Sequence, residues 1–495
     1  MSLLIKGVQV VDGTGREPYK ADVLVQKGLI SSIGSLRGRG ADKIVEGLGN
    51  YLAPGFIDVH ARSDHSLSLF SNPTQDGFIG QGVTSIVVGQ YGISLAPLIY
   101  GSLSLFGRWT DAGEININWH TTKELFSQIE KRNIGINWGT LAGYSTVRRE
   151  IAGERKILDK KELAVIGRVL AEALKQGALG VSIDLDFLHG GYIASKEVGE
   201  IAKLTKSLNR VGVVGLRDNH KGLLRSIEEI VRVARATRAK IIIDHLKPTT
   251  GYTQEFKRAL NLLKGELPKP SIRFLVNPCE ISEVHISTFL PKSFQRTGLA
   301  KMRDLVADKK NKRPIEKEWR DLDLRSIRVA SAPHHHYLVG KSLKNIAENW
   351  DISYIEALYK IMEMSEMRAT VLYNDVNLAA LRVSLAEEIA FITADDSGVS
   401  PGGGFTVNEA AHNAFPKFIK TALGEGLLSI EDVIKKITFA PAHYFGLEKV
   451  GLIEEGCAAD LVLLGKDKYE VKQVILGGRT WGEEPLKGQA LIKYR

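Results

Sequence analysis

The sequence predicts a (β/α)8 barrel of the TIM type, carrying a small β-sandwich domain built from both chain ends. Three observations predict it. About eight short apolar strands alternate with helical segments through the middle of the chain, the pattern of a parallel barrel. The two termini both read as β-rich segments with alternating apolar and polar residues. The 495 residues, 44% apolar and 25% charged, have ordinary globular composition and enough length for a barrel with a satellite domain.

The elements follow in chain order. Leu4 to Val11 and Ala21 to Val25 are strand-like, and Asp12-Gly13 and Lys27-Gly28 supply turns. Residues 57–59 and 83–88 are the first buried strands, the second bounded by Gly82 and Gly89. An amphipathic helix over 160–176 precedes a strand at 179–183. Strands at 211–216 and 241–243 flank a helix over 223–236, and further strands are expected at 272–276, 327–330 and 389–392. The far end returns to β pattern at 460–464 and 471–476, before Gly477-Gly478. These readings assign 1–50 with 447–495 to the small domain and 51–446 to the barrel, with a basic insertion near 295–325.

The formal charge is +9 over 495 residues, which is mild. Its densest run, Lys309, Lys310, Lys312 and Arg313 followed by Lys317 and Arg320, reads as a solvated face or as an electropositive approach for anions. Neither aromatic interleaving nor a known module accompanies it, so nucleic-acid binding is not expected. No apolar run reaches membrane-spanning length, and the first residues do not form a secretory signal. The only cysteines are Cys279 and Cys457, so no disulfide framework is expected and a reducing, cytoplasmic setting is the simplest one.

In a parallel barrel the chemistry sits where strands end. The strand ends carry Asp58-Val59-His60-Ala61-Arg62, Gln90-Tyr91-Gly92, Gly215-Leu216-Arg217-Asp218, Asp244-His245-Leu246-Lys247 and Ala394-Asp395-Asp396. The segment Leu52-Ala53-Pro54-Gly55-Phe56-Ile57-Asp58-Val59-His60 resembles the first metal-binding strand of the amidohydrolase superfamily. Gln81-Gly82-Val83-Thr84, Gly92-Ile93-Ser94-Leu95-Ala96-Pro97, Gly177-Ala178-Leu179-Gly180-Val181-Ser182 and Gly451 through Val462 resemble its D-aminoacylase (N-acyl-D-amino-acid deacylase) branch. The likeness runs nearly end to end.

The resemblance implies a metal-dependent hydrolase of non-peptide C–N bonds, in which zinc lowers the pKa of a bound water and an Asp takes its proton. Carried over by position, His60 and His245 match metal ligands and Asp395 the general base and ligand. Lys247 and Tyr192 match positions that contact the substrate's carboxylate end. The departures are Arg62 in place of the second His of a His-x-His pair, Tyr91 in place of a Cys, and Gly215 in place of a His. Asn277-Pro278-Cys279, Asn408-Glu409-Ala410 and Gly143-Tyr144 also replace family segments.

Arg62 lies two residues beyond His60, so at strand period both side chains point into the barrel mouth, beside the end of the last strand. Arg62 is therefore expected to pair with Asp395 in the space a metal would fill. His65 and His220 are candidate substitute ligands, His334-His335-His336 is a possible metal tract, and Pro401 to Gly404 reads as a turn or lid at the mouth. Two readings result. One is a hydrolase of N-acyl amino acids or related small amides with one zinc or none and no organic cofactor. The other is a non-catalytic barrel that binds a small anionic ligand or a partner subunit. The expected partner is a small-molecule substrate or ligand that carries a carboxylate, no membrane or nucleic acid is expected, and a homo-oligomer stays open.

Overall fold

The computed structural model describes residues 2–108, 116–153, 155, 157–186, 193–266, 272–320, 322–398 and 408–493. Its centre is a sheet of eight parallel strands in sequential order: Phe56–Asp58, Val83–Val88, Asn137–Gly143, Gly180–Asp184, Val211–Gly215, Lys240–Asp244, Ile272–Val276 and Ala390–Ile392. All eight are buried along their whole length or at all but one residue, because helices cover the outside and side chains fill the inside. Ile57, Val87, Leu141, Val213, Leu275 and Phe391 belong to the inner packing cluster. Bulky branched residues of this kind make a barrel interior a solid core.

Two strand assignments change. Residues 137–143 form the third barrel strand, although Asn137-Trp138-Gly139 lacks the β-branched run expected of one. The segment near 327–330 is a strand, Arg328–Ser331, but it lies in a separate antiparallel sheet with Ile281–His285 and Thr370–Asn374. That sheet belongs to an insertion between the last two barrel strands, much longer than the 295–325 read from the sequence. It has its own core, including Ile286, Met302, Trp319, Val329 and Ile361. Lys309, Lys310, Lys312, Arg313 and Lys317 are exposed on it, in keeping with a solvated face.

The chain ends build one branched sheet of eight strands. Ser2–Val10 pairs with Tyr19–Gln26 on one edge, and with Lys43–Glu46 and Tyr51–Pro54 on the other. Tyr51–Pro54 in turn pairs with Leu461–Leu464 from the far end of the chain. The small sheet thus extends past residue 50. The final segment leaves it: Trp138 N donates to Gln489 O, Leu491 N donates to Trp138 O, and Leu491 joins the barrel core. Residues 489–491 therefore pack with the barrel rather than with the small domain assigned to 447–495.

Asp460 joins the two parts. It is buried, accepts from Gly477 N at 2.8 Å and from Asn137 Nδ2 at 2.8 Å, and burial raises its pKa. Asp460→Ala removes both acceptors, and a buried donor left unsatisfied costs about 1–3 kcal/mol. Chemical denaturation should show a loss of that order for each donor, with Asp460→Asn retaining roughly half of it.

Candidate active site

The C-terminal ends of the barrel strands converge on one group of ionisable side chains. Asp58 ties the first strand to the last: its Oδ1 accepts from His60 N at 2.9 Å and its Oδ2 from Ala394 N at 2.8 Å. Burial pushes this carboxyl up to about 6 against those two hydrogen bonds. Thr393 Oγ1 donates to His60 O at 3.1 Å and accepts from Asp395 N at 2.9 Å, while Arg62 N donates to Asp396 O at 2.7 Å. Tyr91, His245 and Asp395 all adopt left-handed backbone, with φ of 55°, 52° and 49°. Three non-glycine residues in that region at three strand ends is the strain typical of a functional centre.

The side chains form a closed ring of alternating charge. His60 Nε2 lies 3.1 Å from Asp244 Oδ1, and His60 Nδ1 lies 3.3 Å from Asp395 Oδ1. His245 Nδ1 lies 2.5 Å from Asp244 Oδ1, and His245 Nε2 lies 2.9 Å from Asp395 Oδ2. Two further groups hold Asp395 from the side. Arg62 Nε is 3.2 Å from its Oδ1, and Tyr91 Oη donates to the same oxygen at 3.0 Å.

The charges of the ring set one another. Burial disfavours an ionised Asp395, but Arg62 and then His245 outweigh it and hold the carboxyl well below its usual range. Burial likewise opposes charge on His60, yet Asp244 and Asp395 lift its pKa to about 9. His245 moves upward for the same reason, its two carboxylates overcoming burial. Tyr91 is pushed well above its normal value by burial and by Asp395, so it stays a hydrogen-bond donor. Asp396, deeper and without an ion-pair partner within 4 Å among the described residues, is raised by burial to about 7.

The expected Arg62–Asp395 contact is present, and His60, His245 and Asp395 come together. The other candidates do not join them. His65 is buried with Nδ1 2.8 Å from Asp64 Oδ1, where Asp64 Oδ2 also accepts from Gly89 N at 2.8 Å, so the pair props a loop. His220 packs on Tyr252 with ring centroids 4.9 Å apart. His334 and His336 are exposed on the insertion. Lys247 lines the cleft beside the ring and pairs with Asp375. Tyr192 and Pro401 to Gly404 lie outside the described residues.

Position 215 holds a further surprise. A Cβ built on Gly215 would come within 2.7 Å of the Asp184 carboxylate, so the acid at the end of the fourth strand occupies the room a ligand there would need. Asp244, at the centre of one side of the ring, is also a residue that sequence reading left without a role. Its place immediately before His245 at a strand end was the available signal.

The donor set fits one divalent ion. One ligand atom from each of His60, His245 and Asp395 lies within 4.8 Å of the others. Both nitrogens of both imidazoles are buried and make no aligned hydrogen bond, although carboxylate oxygens lie close by. Short, poorly aligned approaches of this kind suit atoms aimed at a shared centre. Two imidazoles and a carboxylate form a familiar three-ligand catalytic zinc set with a position open for water. A second ion is not provided for: Arg62 and Tyr91 are poor or impossible ligands at the places flanking Asp395, and position 215 has no side chain.

Comparisons with known proteins agree with this architecture. Residues 303–481 match the amidohydrolase family. The chain is 25% identical to an N-acyl-D-glutamate deacylase of Alcaligenes xylosoxydans xylosoxydans over 484 residues, covering 94% of this chain and 88% of that protein. It is 26% identical to a D-aminoacylase of the same organism over 258 residues, 51% of this chain and 53% of that one. Its fold matches the crystal structure of N-acyl-D-glutamate deacylase from Bordetella bronchiseptica, complexed with zinc and a phosphonate mimic of the tetrahedral intermediate. The TM-score is 0.81 at 20% identity, with 99% of each chain covered. A D-aminoacylase structure matches with a TM-score of 0.79 at 20% identity, again over 99% of each chain.

Arg62, 3.2 Å from Asp395 Oδ1, would compete with a metal ion for that carboxylate. A unit charge about 5 Å from a dication costs the ion roughly 1.5 kcal/mol even at the dielectric constant of water. Arg62→Gln should therefore tighten zinc binding about tenfold in equilibrium dialysis. Weaker binding by that variant would make Arg62 a support for the ligands rather than a competitor.

Proposed function

We propose that the chain, which is similar along most of its length to N-acyl-D-amino-acid deacylases and over residues 303–481 to the amidohydrolase family, hydrolyses the amide bond of N-acyl amino acids, using one divalent ion, most simply zinc. The observation that carries this reading is the convergence of His60, His245 and Asp395 at the mouth of the barrel. His60, His245 and Asp395 would hold the ion, which supplies Lewis acidity and a water of lowered pKa. The non-catalytic alternative explains neither the convergence nor the backbone strain that maintains it.

The chain's own residues perform the remaining tasks. Asp395 accepts the proton of the attacking water and passes it to the leaving nitrogen. Arg62 and Tyr91 orient its carboxylate through Oδ1, so that Oδ2 faces His245. Asp244 fixes both imidazoles from behind, the usual work of a carboxylate beyond a histidine ligand. Lys247 at the cleft wall and, as the family resemblance implies, Tyr192 receive the substrate's carboxylate. Among the described residues no helix is long and apolar enough to cross a membrane. The low cysteine content supports a cytoplasmic setting.

Activity against a panel of N-acyl amino acids, assayed with and without chelator, tests the reading. His245→Ala and Asp395→Asn should each lower kcat/KM by about a thousandfold, the scale of removing a member of a catalytic unit. Lys247→Met should raise KM about tenfold with little change in kcat, as expected for loss of a uniform binding contact. Undiminished activity in Asp395→Asn, or full activity in chelator, would count against the proposal.

A further inference from the structure

The cleft beside the ring, a narrow space of about 40 Å³ that opens to solvent, is walled by the sixth and seventh barrel strand ends and by the insertion. Four charged side chains line it: His245, Lys247, Glu283 and Asp395. His245 and Asp395 pair with each other, and Lys247 pairs with Asp375. Glu283 is left with no cation within 4 Å among the described residues. It stands on the first strand of the insertion, Ile281–His285, where Thr370 Oγ1 donates to its Oε1 at 2.6 Å. That bond positions the carboxylate without neutralising it. Glu283 lines the same cleft as His245 and Asp395, which places it on the reaction side of the wall. Around it, Leu246, Pro248, Leu275, Val376 and Leu381 give the cleft an apolar lining suited to a methylene chain.

We infer that Glu283 makes this cleft selective for an N-acyl amino acid whose side chain ends in a cation, an inference that rests on the hydrolase reading above. The substrate would then be a zwitterion matched to the wall, with its α-carboxylate at Lys247 and its side-chain ammonium at Glu283. An acidic side chain would meet the Glu283 carboxylate across an apolar cleft, where like charges are costly. The relative named for D-glutamate would thus differ from this chain in substrate preference.

Binding to the zinc-loaded full-length protein tests the inference. The probes are Nα-acetyl-lysine, Nα-acetyl-norleucine and Nα-acetyl-glutamate in both enantiomers, measured by isothermal titration calorimetry. Norleucine retains the methylene chain of lysine without its ammonium. In the preferred enantiomer the lysine compound should bind about tenfold or more tightly than the norleucine compound, the scale of a charge-assisted hydrogen bond. The glutamate compound should bind weakest, and Glu283→Gln should erase the lysine preference. Glutamate or norleucine binding as tightly as lysine in the wild type overturns the inference, and this comparison stands whether or not the variant folds. A lysine preference that survives Glu283→Gln, or no binding of any probe, also overturns it. The predicted order without turnover would instead overturn the hydrolase reading and leave the role of Glu283 standing.

Discussion

Everything at the mouth of this barrel depends on the ionised carboxylate of Asp395. It is mostly buried, with 16% of its side chain exposed, and such a charge is tolerable only when paired and hydrogen-bonded. Arg62, Tyr91, His60 and His245 all lie within 3.3 Å of its two oxygens. To bring them there, the first, second, sixth and eighth strands must end at one level, and the barrel must close. The Asp58 bridge to Ala394 N and the Thr393 bridge to His60 O do this without continuous strand pairing between the first and last strands. Asp395, His245 and Tyr91 then hold left-handed backbone that the surrounding hydrogen bonds keep in place.

The charge arithmetic explains how one cluster suits both an ion-paired ring and a metal site. Asp244 and Asp395 contribute two negative charges, Arg62 one positive charge, and two imidazolium rings two more. Exchanging the two imidazolium protons for one dication leaves the total unchanged, so loading the site changes its structure more than its net charge. A bound metal ion would therefore release protons from the histidines, a general coupling when ligands must be deprotonated. Arg62 is the residue that biases this exchange, because it is a permanent cation on the shared carboxylate.

Much of this was legible in the sequence, for definite reasons. His60, His245, Asp395 and the Arg62 contact follow from strand ends and a two-residue period, which are local properties. The third barrel strand was not legible, because Asn137–Gly143 holds an Asn, two glycines and a single β-branched residue, Thr140. Arg328–Ser331 reads as an apolar strand, but nothing in four residues says which sheet it joins. The length of the insertion was hidden for the same reason, since its helices look like barrel helices. Gly215 reads as a lost ligand, while the Asp184 carboxylate that fills its room comes from a neighbouring strand through register, a non-local fact. Glu283 was invisible as a cleft residue because it reaches the mouth only through the fold of the insertion.

The central claim is that the ring holds a single ion despite three substituted positions. Anomalous diffraction at the zinc edge, from crystals grown with zinc, tests it most directly. One peak per chain is expected, bound by His60, His245 and Asp395. Two peaks, or none with the Arg62 guanidinium lying among those three side chains, would contradict it.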